Sequence, residues 1–344
     1  MGLFPSSEFK NTHLLHYTKF GDNKLHVYLP ERDTLYIFSI FHKGRKFKFY
    51  GQRSISTPSG SVYLIGGQAV QVLPDEEDLL FSLSDVHASL TTTNFVASIN
   101  LEKHRNFKID LDDMEKCEPL PEPRSLHAMV YSEPYIFVIG GEIANSGPTK
   151  SCLKFHTRTK KWEKISDINF ISNLLEPCGI ALNDSIYIFN TSEKNNLPRV
   201  HRYSIELDQW MEILIHSRNK GLVIPPTLSS AVYQVSEKEV MIVGGVKIDK
   251  SDTDKREFWY IFDSLTEEIK ELSYQEGMGQ IRKETQGNVD YSKENTVYGK
   301  LGERVVKFFN KENKIWGELR LIPENTKENF GFGCCSNRGA TKFR

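Results

Sequence analysis

The sequence predicts an all-β protein assembled from a repeated supersecondary unit, and three observations carry that expectation. An apolar strand ending in a glycine doublet recurs along the chain. An aromatic residue recurs seven positions before a Trp, and short runs such as residues 24–29 and 34–41 are rich in the β-branched and aromatic residues that favour strands. One such unit cannot bury its own apolar face, so a period of several tens of residues requires units stacked on one another.

The elements follow in order. The first nineteen residues lack apolar periodicity and read as an arm or an outer strand, after which residues 24–29, 34–41 and 46–50 read as strands of a first unit. The strand-plus-glycine element comes next as Val62-Tyr63-Leu64-Ile65-Gly66-Gly67. It is clearest as Ile136-Phe137-Val138-Ile139-Gly140-Gly141 and returns as Val240-Met241-Ile242-Val243-Gly244-Gly245. Weaker copies are Ile186-Tyr187-Ile188-Phe189 before Asn190, and Thr296-Val297-Tyr298 before Gly299. A doublet directly after a buried strand marks a sharp exit of the chain, because glycine adopts backbone angles closed to other residues. Asn190 suits the same place, since Asn tolerates left-handed geometry best among the rest.

The second element aligns with the first. Phe155 with Trp162, Tyr203 with Trp210 and Phe309 with Trp316 share the spacing of seven, and Phe262 with Ile269 is a copy lacking Trp. Ile40 with Phe47 and Ile99 with Asn106 complete six units, with Phe107 as the alternative partner of Ile99 through a one-residue shift. Each pair reads as a hairpin around a polar turn such as Thr157-Arg158-Thr159-Lys160.

Together with Pro123-Arg124-Ser125-Leu126-His127, these motifs resemble the kelch repeat, whose units form the blades of a β-propeller. The resemblance implies an all-β, six-bladed kelch-type propeller with four-stranded antiparallel blades over residues 20–337. Residues 1–19 are then an N-terminal arm and residues 338–344 a C-terminal tail. Ring closure is expected to combine strands from both termini, and Phe330-Gly331-Phe332-Gly333-Cys334-Cys335 reads as the inner strand of the first blade. No second folded domain, and no dimerisation or ligase-recruiting module, is recognisable.

Composition narrows the function. With 44 basic and 45 acidic side chains the formal charge is −1, so no global field favours nucleic acid or an anionic membrane. Five cysteines without a C-x-x-C pair, and without His at metal-ligand spacing, argue against a zinc site and for a reducing, cytoplasmic setting. No catalytic motif, cofactor fingerprint or stretch of about eighteen apolar residues occurs, so catalytic, cofactor and metal residues are all read as none. Met1-Gly2-Leu3-Phe4-Pro5-Ser6 satisfies the myristoylation pattern at Gly2, and a single acyl chain there would give only reversible membrane binding.

Uneven loops carry the remaining functional signal. Residues 68–93 are too long for a tight turn, and loops of that length are usually functional or disordered. A second insertion, residues 246–257, reads as simply solvated. The resemblance further implies a channel mouth where arginines at strand starts bind acidic groups of partners. Arg53 and Arg124 are the candidates, while an ion pair to a neighbouring blade is the structural alternative for Arg124 and core packing is the expectation for His127. The expected role is a non-catalytic protein-binding scaffold or adaptor, cytoplasmic and within a cytoskeletal or other large assembly. The alternatives are a propeller enzyme with a channel-mouth site, or the substrate receptor of a ubiquitin ligase whose recruiting domain is on another chain.

Overall fold

The computed structural model describes residues 15–18, 22–29, 34–46, 48, 51–70, 90–104, 106–144, 146–168, 177–191, 198–215, 227–228, 231–243, 246–247, 259–272, 296–301, 305–310 and 315–320. Among them the protein is all-β, with two short 3-10 turns as its helical elements. The central sheets follow the repeat. Sheet three runs β12 (Ala128–Ser132), β13 (Tyr135–Ile139), β16 (Cys152–His156) and β17 (Lys161–Ile165), every neighbour antiparallel. Sheet four repeats that order with β18 (Cys178–Leu182), β19 (Ser185–Thr191), β20 (Pro198–Ser204) and β21 (Gln209–Leu214). Sheet five does so with β23 (Ala231–Gln234), β24 (Glu239–Val243), β26 (Trp259–Asp263) and β27 (Glu268–Glu271).

The spacing of seven has a simple cause. His156 and Lys161 pair across the four-residue turn 157–160, so the next pair inward, Phe155 and Trp162, lies seven apart. Tyr203 faces Trp210, Phe262 faces Ile269 and Phe309 faces Trp316 by the same register. In each of sheets three to five the residue two before the Trp or Ile closes the turn in left-handed geometry: Lys160 at φ 60°, Asp208 at φ 50° and Glu267 at φ 55°.

Interiors lie between sheets. On β13, Ile136 and Val138 pack with Ile55, Tyr63 and Ile65 of sheet two. Phe137 and Ile139 point the other way, to Ala181, Ile186 and Ile188 of sheet four. Alternate side chains of a strand face opposite sides of its sheet, so burial on both sides makes the run continuously apolar. Ile180, Leu182 and Phe189 continue the stack towards Val232, Val240 and Phe262 of sheet five.

Sheets one and two depart from the plan. Sheet one is ordered β1 (Leu15–Thr18), β2 (Lys24–Leu29), β3 (Thr34–His42) and β10 (Lys108–Asp110), with β4 (Arg45–Lys46) also paired to β3. Residues 15–18, read from sequence as part of an arm, thus form the first strand of this sheet. That is the place assigned to Phe330–Cys335, which itself lies outside the described residues. Of the strand expected at residues 46–50, Lys46 ends β4 and residues 47, 49 and 50 lie outside the described residues; β10 also pairs with β3, in parallel. Sheet two runs β5 (Arg53–Ser56), β6 (Ser61–Ile65), β9 (Val96–Asn100) and β11 (Glu115–Lys116). The chain therefore leaves β9, crosses to sheet one as β10 and returns as β11. Phe107 goes with that crossing: its ring stacks on Tyr36, with centroids 6.0 Å apart, so neither Asn106 nor Phe107 is the register partner of Ile99. Phe47 lies outside the described residues.

A sixth sheet has three described strands, β28 (Thr296–Leu301), β29 (Val305–Asn310) and β30 (Ile315–Arg320). Because Phe309 on β29 faces Trp316 on β30, these strands correspond to the second, third and fourth of sheet three. The sheets meet through their innermost described strands: β5 touches β1 and β12, β18 touches β12 and β23, and β28 touches β23 and β1.

Candidate binding faces

Each regular sheet has two distinct ends. One carries the short turns between first and second strands and between third and fourth; the other carries the glycine doublet and the longer connections. At the second end Gly66 and Gly67 have φ of 63° and 94°, and Gly140 and Gly141 repeat them at 62° and 93°. A Cβ on Gly66 would fall 2.3 Å from the Arg124 carbonyl oxygen, and one on Gly141 would fall 2.5 Å from that of Ser125. The doublet therefore combines left-handed geometry with a close approach of backbones that excludes any side chain. Gly67 N–H donates to the Arg124 carbonyl at 2.8 Å, tying sheet two to the entry of sheet three. Asn190, by contrast, continues β19 and pairs with Arg199, so the chain does not leave the sheet at that position; Gly244 and Gly245 lie outside the described residues.

Beyond the doublets the connections rise as two-stranded ribbons. β7 (Gln68–Val70) pairs with β8 (Leu90–Thr92) at the base of the long connection. β14 (Glu142–Ile143) pairs with β15 (Gly147–Pro148) above sheet three. β22 (Thr227–Leu228) pairs with β25 (Val246–Lys247), so the insertion read as simply solvated begins in a strand. Ala144 N–H donates to Thr92 Oγ1 at 3.1 Å and joins the first two ribbons.

The arginines expected to meet a partner lie beneath this ribbon end. Arg124 is fully buried. Its Nη1 donates to the carbonyls of Ser151 at 2.9 Å and Gly140 at 3.3 Å; its Nη2 donates to Glu122 Oε2 at 2.7 Å and Ser151 Oγ at 3.1 Å. All four Nη hydrogens are thus spent within the chain, and the carboxylate Arg124 reads is Glu122. Burial lowers its basicity, and the Glu122 charge acts in the opposite direction. Arg53 begins β5, opposite Ile65, and is 9% exposed. Gly2 lies outside the described residues.

His127 is packed, as expected. Burial, followed by the charges of Arg124 and Arg53, drives its basicity well below the ordinary imidazole range, so the ring is neutral at pH 7. Cys178 is pushed up to about 12 by burial, against the opposing charge of Arg53, and Cys152 reaches about 12 for the same first cause. These thiols are core groups rather than nucleophiles. Among the described residues no group of three His, Cys, Asp or Glu could hold a metal ion.

The turn end carries a groove of about 460 Å³ between sheets two and three. The turn Thr57–Ser61, the crossing segment with Lys103, His104 and Asp113, and the sheet-three turns with Glu133 and Arg158 line it. Lys160 reaches across its floor, donating to Tyr63 Oη at 2.9 Å and pairing with Glu115 at 3.3 Å. Burial alone would lower that ammonium, but the Tyr63 hydroxyl, Cys117 and Glu115 outweigh it and raise its basicity. Arg158 pairs with Glu133 at 3.1 Å. Nothing in the sequence motifs singled out this groove, because its two walls come from different sheets and from the unforeseen crossing.

Trp162 and Trp210 prove to be inter-sheet ties. Trp162 Nε1 donates to the Glu118 carbonyl at 2.8 Å, and Trp210 Nε1 donates to the Ser166 carbonyl at 2.8 Å, each 44 residues back. Glu118 follows β11 and Ser166 follows β17, so each indole fastens its sheet to the outer edge of the one before. The repeat period and the hydrogen bond are the same fact.

Comparison with known proteins agrees with this geometry. Residues 123–169, which hold Arg124, the Gly140–Gly141 doublet, Phe155 and Trp162, match the family model for the Kelch motif. That stretch carries a kelch motif, and sheets four and five repeat its strand order. Among curated proteins it is similar to Alpha-scruin of Limulus polyphemus, at 24% identity over 137 residues. That alignment covers 38% of this chain and 14% of the length of Alpha-scruin.

Proposed function

We propose that the protein is a six-bladed propeller closed between β28 and β1, and that it serves as a non-catalytic protein-binding scaffold within a cytoskeletal or other large assembly. The observation that carries the reading is the ribbon end: three connections project beyond the sheets as paired strands, two of them tied together, on a core whose stability the repeats supply. Rigid sheets carrying longer connections at one end present a broad recognition surface. Sheet one already has four strands in its main order with β4 also paired to β3, and the sixth has three described strands, so a further inner strand has room beside β28 rather than beside β1.

The similarity to Alpha-scruin favours the cytoskeletal form of this reading. The buried state of Arg124 supports a scaffold role for it and favours recognition by the ribbons over the channel-mouth arginines. A second reading, small-molecule chemistry in the turn-end groove, rests on its volume, which falls within the ~300–1,000 Å³ of ligand sites. Affinity capture from the native source, with mass spectrometry and co-sedimentation with polymerised filaments, tests the first reading. A defined set of co-purifying proteins is expected; a monomer that instead turns over a groove-bound small molecule would overturn it.

A further inference from the structure

Beneath the ribbon end, two fully buried polar side chains two residues apart have no hydrogen-bond partner. Neither ring nitrogen of His127 is bonded, nor is Ser125 Oγ, and both residues are 0% exposed. Unpaired buried polar groups are rare and costly, and an ordered water or ion is a common explanation. The surroundings of His127 are shared by two sheets: a Cβ on Gly66 of sheet two would meet its ring and one on Gly141 of sheet three its Cα and Cβ, while Arg53 starts the first strand of sheet two.

From this geometry we infer a binding site for a small monovalent anion of the chloride class, held by the His127 N–H and the Ser125 hydroxyl under the guanidinium groups of Arg53 and Arg124. After burial, the charges of Arg124 and Arg53 lower the basicity of His127, and Glu122 offsets part of the Arg124 charge at 2.7 Å. A neutral imidazole offers one N–H donor and cannot itself balance the arginine charges. Charge-assisted donors in a buried setting favour an anion over water, which brings no charge. The acceptor nitrogen of the ring is then served by a water. The site sits where the doublets bring sheets two and three together, so its occupancy stabilises the ring independently of what binds the ribbons.

Thermal unfolding of the full chain in sodium chloride and in sodium gluconate of equal ionic strength tests the inference. The midpoint should rise by about 2 °C for each tenfold increase in chloride above its dissociation constant. Gluconate, too large for a buried site, should leave it unchanged. His127→Phe should abolish the chloride response, and Ser125→Ala should weaken it. Crystals grown with bromide should show an anomalous peak within hydrogen-bond distance of His127. Equal midpoints in the two salts, or density at His127 that refines as water only, would overturn the proposal. If His127→Phe fails to fold, the Ser125→Ala response and the bromide peak decide.

Discussion

Sheets three and four and sheets one and two are built from the same kind of strands, yet they are fastened in different ways. Sheets three and four each use one indole to reach back one repeat, with a left-handed turn closing the hairpin beside it. Sheets one and two share a strand instead: β10 leaves the sheet-two connection and lies parallel to β3, and Asp112 beyond it accepts from Lys43 N–H at 2.5 Å and pairs with His42 Nδ1 at 3.1 Å. A tie made by one side chain leaves a signature of fixed spacing. A tie made by exchange of a strand leaves none.

The largest effects should come from breaking the close approach common to both regions. Gly141→Val drives a side chain into the Ser125 carbonyl at a backbone angle open chiefly to glycine, and should destabilise by about 4 kcal/mol or more. Gly44→Ala, in the sheet-one hairpin, meets nothing within 4 Å at φ 71° and should cost only about 1 kcal/mol. Chemical denaturation of the two variants measures the difference; equal losses would remove the packing role given to the doublet.

Next comes the guanidinium. Arg124→Met strands the buried carbonyls of Gly140 and Ser151 and should cost roughly 3 kcal/mol, whereas Arg158→Ala, whose pair with Glu133 is exposed, should change stability by less than about 0.5 kcal/mol. A fully stable Arg124→Met would return Arg124 to the list of partner contacts.

Acid should then separate the buried histidines from the surface. His16, on β1, is held by burial at about 4, partly offset by a backbone hydrogen bond at Ser54. Its folded value lies below the unfolded one of about 6.5, so the unfolded state takes up the proton first. Stability is present above pH 6.5 and is lost as pH falls towards 4, by roughly 3 kcal/mol for a shift of this size. His127 acts in the same direction. Denaturation midpoints from pH 7 to pH 4.5 should fall, and a flat profile would show that these rings protonate in the folded state.

The smallest contrast concerns the ties themselves. Trp162→Phe and Trp210→Phe keep the tilted ring pairs of the hairpins but delete one inter-sheet hydrogen bond each, costing roughly 1 kcal/mol. Asp112→Ala, which loosens the crossing of β10, should cost less because its partners are exposed. Thermal melts that rank these three in the opposite order would make the strand exchange the stronger fastening.

What could be read from sequence follows the same division. Phe155 with Trp162 and the Gly140–Gly141 doublet were legible because each obeys a local rule, a register across one turn or a backbone angle that needs glycine. Arg124 was visible as special, but the Ser151 and Gly140 carbonyls that bury it lie 27 and 16 residues away, so its turn inward, onto those carbonyls and the nearby Glu122 carboxylate, could not be read from the chain. The path of β10 was invisible, since residues 108–110 carry one buried apolar residue, Ile109, and no motif. The turn-end groove was hidden for the same reason, its walls being residues brought together by that path.

The ribbon end and the turn end make opposite predictions about recognition, and one measurement separates them most directly. Residues 71–89 are replaced by a two-residue turn that keeps the β7–β8 pairing, and in a second variant Lys103 and Arg158 at the groove are changed to Glu. Quantitative cross-linked capture of partners by each variant is compared with the unaltered protein, with melting curves confirming that both remain folded. The ribbon variant should lose its partners while the groove variant retains them. Full capture by the ribbon variant with loss by the groove variant would contradict the account.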